Sequence, residues 1–253
     1  MTDRDIALLA YDPDPHAVIE PGHEGLSVRL PERLVFAFLG DTVRSCAEAY
    51  GMTAVTAFVT VTKTFPVYVG EQDGKPFALV EAPLGAPAAA QLLDWLISYG
   101  VRTALAVGSC GVLTDLAENA FLVPRRALRD EGTSFHYLPP SRFVETDETL
   151  RRAIGQVFSE KELPFVEMTT WTTDGFFRET AAKVRARREE GCSSVEMECA
   201  ALAAVAKFRG ARFAQILYTA DTLANTDDYN ERDWGEASRL PVLRLALEAV
   251  LRT

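Results

Sequence analysis

Apolar runs that stop at glycine and give way to helix-patterned segments recur along this chain, and that alternation narrows its possible folds more than any other feature. Val35 to Leu39 ends at Gly40-Asp41, after which Thr42 to Tyr50 reads as a short helix stopping at Gly51. Pro87 to Tyr99, rich in Ala and Leu and halted by Gly100, reads as a second helix, since proline suits a first turn and glycine a position past the last. The strand Thr103 to Val107 then closes on Gly108-Ser109-Cys110-Gly111. Asp73-Gly74, between Val67 to Val69 and Phe77 to Val80, predicts a hairpin. Arg151 to Glu160, Glu179 to Glu190, Met197 to Phe208 and Leu240 to Leu251 carry helical patterning, and Phe213 to Tyr218 is an apolar strand leading to Asp221. Strands alternating with helices predict an α/β fold: a three-layer α/β/α sandwich around a mixed, mostly parallel sheet, covered on both faces. In such folds functional groups gather where strands end, and Gly40, Gly108 and Asp221 all stand at predicted strand ends.

With 253 residues, 48% of them hydrophobic, the chain can bury a substantial core, and with no linker it is expected to form one domain over residues 1–253. A formal charge of −10 argues against nucleic acid or an acidic membrane as partner, since either needs clustered Lys and Arg. Small molecules are the expected partners. Cys46, Cys110, Cys192 and Cys199 show neither metal-ligand nor disulfide-framework spacing, so no metal site is expected and a cytoplasmic setting fits. The opening MTDRDIALLAYDPDP lacks the basic start and apolar core of a signal segment, and no apolar run approaches about 18 residues. The chain is therefore expected to be neither secreted nor membrane-spanning.

Small residues at a strand end let backbone N–H groups and a hydroxyl approach an anion closely, so Gly108 to Gly111 reads as a phosphate-sized socket. Downstream lie Thr172-Thr173-Asp174-Gly175-Phe176-Phe177, then Val195-Glu196-Met197-Glu198, then Ala220-Asp221. Each has a plainer reading when taken alone. The socket can be a tight strand exit, Glu196 and Glu198 can favour a helix N-terminus, and Asp221 can be a turn residue. Phe176 and Trp171 can be core, and Arg44 and Lys63 solvated surface charges. Their joint occurrence, in this order, shifts the balance toward one site.

From about His16 to Asp221 the sequence resembles the nucleoside phosphorylase and nucleosidase superfamily, in particular its uridine phosphorylase and bacterial purine nucleoside phosphorylase branch. Leu39-Gly40-Asp41-Thr42-Val43-Arg44 is similar to the family's Pro-Gly-Asp-Pro-x-Arg phosphate loop, with both prolines replaced. Lys63 stands where uridine phosphorylases carry an Arg that reaches a neighbouring subunit's phosphate. Arg129-Asp130-Glu131-Gly132-Thr133-Ser134-Phe135-His136 is similar to their Arg-x-Asp-Gly-x-Ser-x-His stretch, and Val195-Glu196-Met197-Glu198 matches the Val-Glu-Met-Glu signature.

The resemblance implies a division of labour. Gly40, Arg44 and Ser109 would hold phosphate, joined by Lys63 from a partner subunit. Met197 and Glu198 would hold ribose, joined by His16 from a neighbour. Phe176 would stack on the base, with Trp171 extending that wall and Glu196 beside it. Asp221 would protonate a departing purine, which makes Asp221 and Glu198 the catalytic residues. No cofactor is implied; inorganic phosphate is the co-substrate, and the assembly is a homodimer or a hexamer built as a trimer of dimers. The implied activity is phosphorolysis of a nucleoside to free base and (deoxy)ribose 1-phosphate, a pentosyl transfer.

Two departures qualify this. The family's second phosphate Arg is replaced by Ala106, and Arg102 lies four residues back, about 13 Å along a strand. One lost charge-assisted hydrogen bond costs about 1.5–3 kcal/mol, which weakens a phosphate grip without abolishing it. Arg178 is a candidate replacement. The Gln-x-Arg clamp that uridine phosphorylases use for uracil is also missing, because Arg178-Glu179-Thr180 runs straight into a charged helix. The base stays open, as do two other readings: a nucleosidase using water, and a nucleoside-binding protein without turnover.

Overall fold

The computed structural model describes residues 6–253; the reading of the N-terminal stretch falls, for residues 1–5, outside the described residues. Its axis is β5 (Thr103–Val112), a nearly continuous buried run of the kind that parallel strands covered on both faces require. β1 (Arg33–Ala37) pairs with it in parallel, Phe36 opposite Ala106. Outward from β1 come β4 (Lys75–Glu81), β3 (Thr64–Gln72) and β2 (Thr53–Val59). β3 and β4 form the predicted hairpin, with Asp73 and Gly74 at φ 53° and 72° in its turn.

On the other side, β10 (Arg212–Thr222) pairs with β5 in parallel, and β6 (Phe121–Asp130), β8 (Phe165–Thr173) and β9 (Cys192–Glu196) continue the sheet. β9 returns to the far end of β5, Gly111 opposite Val195, so that β5, β10, β6, β8 and β9 close into a ring. The short β7 (Phe143–Glu145) pairs with β6. The sheet is mixed: the ladders around β5, β1 and β4 and those joining β6, β8 and β9 are parallel, while the hairpins and the β5–β9 closure are antiparallel.

Period-two alternation sends Leu34, Phe36, Ala104 and Ala106 to one face, where α2 (Ala86–Ser98) and α5 (Cys199–Phe208) cover them. Val35, Ala37, Leu105 and Val107 face the opposite layer, made by α1 (Asp41–Ala49), α3 (Glu148–Glu160) and α6 (Arg239–Val250). α4 (Ala181–Glu189) lies beside β9 and buries only Val184. The three layers match the expected architecture. Among the described residues, no helix is long and apolar enough to cross a membrane.

Two strands overrun their predicted ends. β5 continues through Gly108-Ser109-Cys110-Gly111 instead of turning there, and β10 runs through Asp221, because each finds a partner beyond the expected stop. The expected strand-exit loop is thus a strand segment. Its glycines permit close approach rather than a turn: a Cβ on Gly111 would stand 2.9 Å from Leu223 Cδ1, 3.1 Å from Val195 Cγ1 and 3.2 Å from Asp221 Oδ1.

Candidate functional site

The Val195-Glu196-Met197-Glu198 run leaves β9 and enters α5, and its two carboxylates have different environments. Glu196 Oε2 accepts the backbone N–H groups of Glu198 (2.8 Å) and Cys199 (2.6 Å), while Oε1 accepts the Thr172 hydroxyl at 2.6 Å. Glu196 therefore closes the N-terminus of α5 from inside the protein, which corrects its assignment to the base: its oxygens are taken up by the fold. Glu198, 5% exposed, accepts the Gly85 N–H at 2.6 Å through Oε1. Gly85 begins α2 at φ 93°, a conformation that favours glycine, so the two helices of one layer meet at this carboxylate. Burial, then repulsion from Glu196, raises the Glu198 carboxyl above its ordinary value. Of this pair Glu196 has the more donors, so the negative charge rests there and Glu198 protonates first.

Asp221, 6% exposed near the end of β10, lies against the position where Gly111 lacks a side chain. Its carboxyl is raised by burial, opposed by a hydrogen bond with Tyr229 and by the Arg232 charge. Both come from the segment after β10, which folds back so that Thr222 N–H donates to the Asn230 carbonyl at 3.0 Å. Arg232 is held there by its Nη2 on the Leu116 carbonyl, 2.8 Å. Gly111 thus joins the two halves of the site: Val195, three residues before Glu198, is its ladder partner, and Asp221 stands over it.

The proposed phosphate residues surround the ends of β1 and β5. Gly40, at φ 53° and ψ −135°, begins α1, and the exposed Ser109 lies opposite Tyr218 in the β5–β10 ladder. Arg44 Nη2 is 2.7 Å from Asp41 Oδ1, and Lys63 Nζ is 2.5 Å from Glu81 Oε1 of its own chain. Both cations already have acidic partners. Ala106 is fully buried in the α2–α5 layer, and Phe38 stands over its neighbour Gly108, where an added Cβ would be 3.1 Å from the Phe38 Cβ. Arg102 donates to the carbonyls of Ile97 and Val101 at the opposite end of the strand, so it does not replace the missing arginine.

Phe176 sits on a 3-10 turn (Phe176–Arg178) beyond β8, 44% exposed and edge-on to Phe177 with ring centroids 5.0 Å apart. Trp171 is a correction. It is fully buried among Leu113, Leu128 and Val184, and its Nε1–H donates to Asp130 Oδ2 at 2.9 Å, so it serves the core and not the ligand wall. Met197 is half-buried beside Glu198. The exposed His16 touches Asp14 (3.1 Å) and borders a cavity of about 1090 Å³ between the N-terminal arm, α2 and the end of β2. Neither Ser109, Glu198 nor Asp221 lines that cavity, so within one chain His16 is apart from them.

Residues 33–252 match the model of the phosphorylase superfamily. The chain belongs to this superfamily. Its relatives include the purine nucleoside phosphorylases DeoD-type of Bacillus cytotoxicus, 24% identical over 94% of this chain and 98% of that protein, and of Colwellia psychrerythraea, 23% identical over 94% and 100%. Solved structures of the same fold include uridine phosphorylase from Vibrio fischeri (21% identical, 94% of this chain and 97% of that one, TM-score 0.75). AMP nucleosidase from Bacteroides thetaiotaomicron is another (22%, 87% and 88%, TM-score 0.71). Three residues about the site have no role in the sequence analysis: Gly85, Tyr229 and Arg232. Gly85 alone had a legible signal, a glycine directly before a helix start. The others are brought in by chain reversals that leave no local pattern.

Proposed function

We propose that this protein cleaves the N-glycosidic bond of a purine nucleoside with inorganic phosphate, releasing the base and a (deoxy)ribose 1-phosphate. The observation that carries this is the convergence, through Gly111, of a buried carboxyl at the end of β10 and a second buried carboxyl at the start of α5. Glu198 accepts hydrogen bonds from the ribose hydroxyls, and Met197 packs against the sugar. As the C1′–N bond breaks, Asp221 gives its proton to the departing base, while a phosphate oxygen held at Gly40, Ser109 and Arg44 bonds to C1′. Burial supports Asp221 in this role, because a raised carboxyl keeps a proton closer to neutral pH. Phe176 stacks on the base. This reading includes a single cytoplasmic domain assembled as a homodimer or a trimer of dimers, in which Lys63 and His16 serve a neighbour's site, with no cofactor.

A second reading, hydrolysis, draws on a specific observation: Ala106 is sealed in the core, Phe38 covers Gly108, and Arg44 and Lys63 are each bound to a carboxylate. With the second arginine position taken by a buried alanine and both Arg44 and Lys63 paired, this arrangement supports water as the nucleophile. The deciding experiment measures base release from a panel of nucleosides with and without phosphate. Phosphorolysis requires release to rise with phosphate and ribose 1-phosphate to accumulate. Release indifferent to phosphate identifies a nucleosidase, and tight nucleoside binding without release a binding protein. Glu198→Ala is expected to abolish any turnover.

A further inference from the structure

The frame that presents Glu198 also reaches the N-terminal arm. α2 and α5 meet where they start, at the Glu198 carboxylate, and they are tied a second time near the far end of α5. Asp94 of α2, 6% exposed, accepts Arg209 Nε (2.8 Å) and Nη2 (3.1 Å) from that end, and also the Tyr137 hydroxyl at 3.1 Å. The third nitrogen of the guanidinium, Nη1, donates to the Pro15 carbonyl at 2.8 Å. The arm is fixed again at Glu24, whose Oε2 accepts the Trp95 Nε1–H of α2 at 2.9 Å. Between these two feet His16, Ala17, Val18 and Ile19 are exposed. The hydrogen bonds of His16 and Ala17 stay within the arm: His16 N–H and Nδ1 on Asp14 Oδ1 (3.0 and 3.1 Å), and Ala17 N–H on Glu20 Oε1 (3.1 Å).

We infer that Arg209 is a positioning residue, which fixes the arm at Pro15 and so holds His16 in one place and orientation for a neighbour's ribose. The inference rests on the cleavage reading above, in which His16 serves a second copy, and adds what holds it there. An unanchored arm samples many conformations, and ordering it on binding costs conformational entropy. Arg209 removes part of that cost in advance. Pro15 directly precedes His16, and its carbonyl is bonded to a guanidinium whose other nitrogens are locked on a buried carboxylate. Asp14 sets the ring. An ionised carboxylate only accepts, so the His16 proton sits on Nδ1, and Nε2 keeps its lone pair as an acceptor, which suits a hydroxyl. Glu198 takes the 2′ and 3′ hydroxyls of the ribose, and the one left for His16 is the 5′-hydroxyl. Lysine in place of Arg209 keeps a cation beside Asp94, but a single ammonium lacks the fork that spans Asp94 and the Pro15 carbonyl together.

The test uses Arg209→Lys, which leaves Asp94 paired and the fold intact. For the nucleoside cleaved fastest and its 5′-deoxy counterpart, kcat/KM is measured in the wild type, Arg209→Lys, His16→Ala and the double variant. The wild type is expected to prefer the 5′-hydroxyl about two- to ten-fold, the worth of one hydrogen bond. His16→Ala is expected to lose that preference, and Arg209→Lys most of it. The double variant should match His16→Ala, because Arg209 acts on this ratio through His16. A purely structural role would lower both substrates together and leave the ratio alone. An unchanged ratio in Arg209→Lys, or a further change when it is added to His16→Ala, overturns the inference. A wild type indifferent to the 5′-hydroxyl overturns it too, while glycosidic cleavage itself stands. Should no nucleoside be cleaved, the cleavage reading fails, and amide hydrogen exchange of the arm becomes the measure. Faster exchange from His16 to Ile19 in Arg209→Lys, with α2 and α5 unchanged, sustains Arg209 as what holds His16, and unchanged exchange there overturns it.

Discussion

Thr172 shows how much one hydroxyl can hold. It donates to Glu196 Oε1 at 2.6 Å and accepts the Ala200 N–H at 3.0 Å, with no exposure to water. Thr172→Val keeps the shape and removes both bonds, leaving a carboxylate oxygen short of a donor inside the protein. The expected loss is about 1–3 kcal/mol of folding stability, measured by urea unfolding, together with weaker nucleoside binding because Glu198 loses its fixed neighbour. Stability within a few tenths of a kcal/mol of wild type would mean that Glu196 is satisfied otherwise. At this scale residue type was legible in the sequence while role was not. The resemblance makes Glu196 and Trp171 ligand contacts, yet the Glu196 oxygens take the nearby Glu198 and Cys199 N–H groups and the distant Thr172 hydroxyl, and Trp171 donates to the distant Asp130.

Elements come together most closely where β5, β9 and β10 converge on Gly111. A side chain there must displace Leu223, Val195 or Asp221, of which Val195 lies in a ladder and cannot retreat. Gly111→Ala is expected to cost about 1–3 kcal/mol, seen as a lower melting temperature by circular dichroism, and to depress turnover further by moving Asp221. An unaltered melting temperature would show slack at the junction. The hairpin at Asp73-Gly74 and the helix after Gly85 were legible, since turn chemistry and helix start signals are local. β8 and β9 were not, because Phe165–Thr173 is rich in threonine and Cys192–Glu196 is short and polar. Their hydroxyls are buried only because they bond one another and Glu196: Ser194 to Thr170 at 3.0 Å, Thr170 to Glu196 at 3.4 Å.

Across the whole molecule, the notable expense is carboxyl burial. Glu131, Glu179, Glu196, Glu198 and Asp221 all have carboxyls raised by desolvation. The folded chain thus binds protons more tightly than the unfolded one. This contribution to stability is complete below the ordinary carboxylate range and is lost as pH rises through it to about 7 and beyond. Glu198→Gln mimics the protonated form. It is expected to melt above wild type at about pH 8, with the difference shrinking toward about pH 5, in differential scanning calorimetry without ligand. A difference that is constant with pH would mean that Glu198 is not the raised group.

By itself the sequence determined the alternation of strands and helices, the hairpin, and the short list of strand ends where chemistry could gather. Those features depend on periodicity and turn chemistry within a dozen residues. Only the tertiary structure decided that β5 runs on past its glycines, that Lys63 pairs with Glu81, that the Thr172 hydroxyl reaches Glu196, and that Asp221 stands over Gly111. Which polar group finds a partner, and which is left to face a ligand, depends on segments far apart in the chain approaching within a few ångströms, and no local pattern encodes that approach.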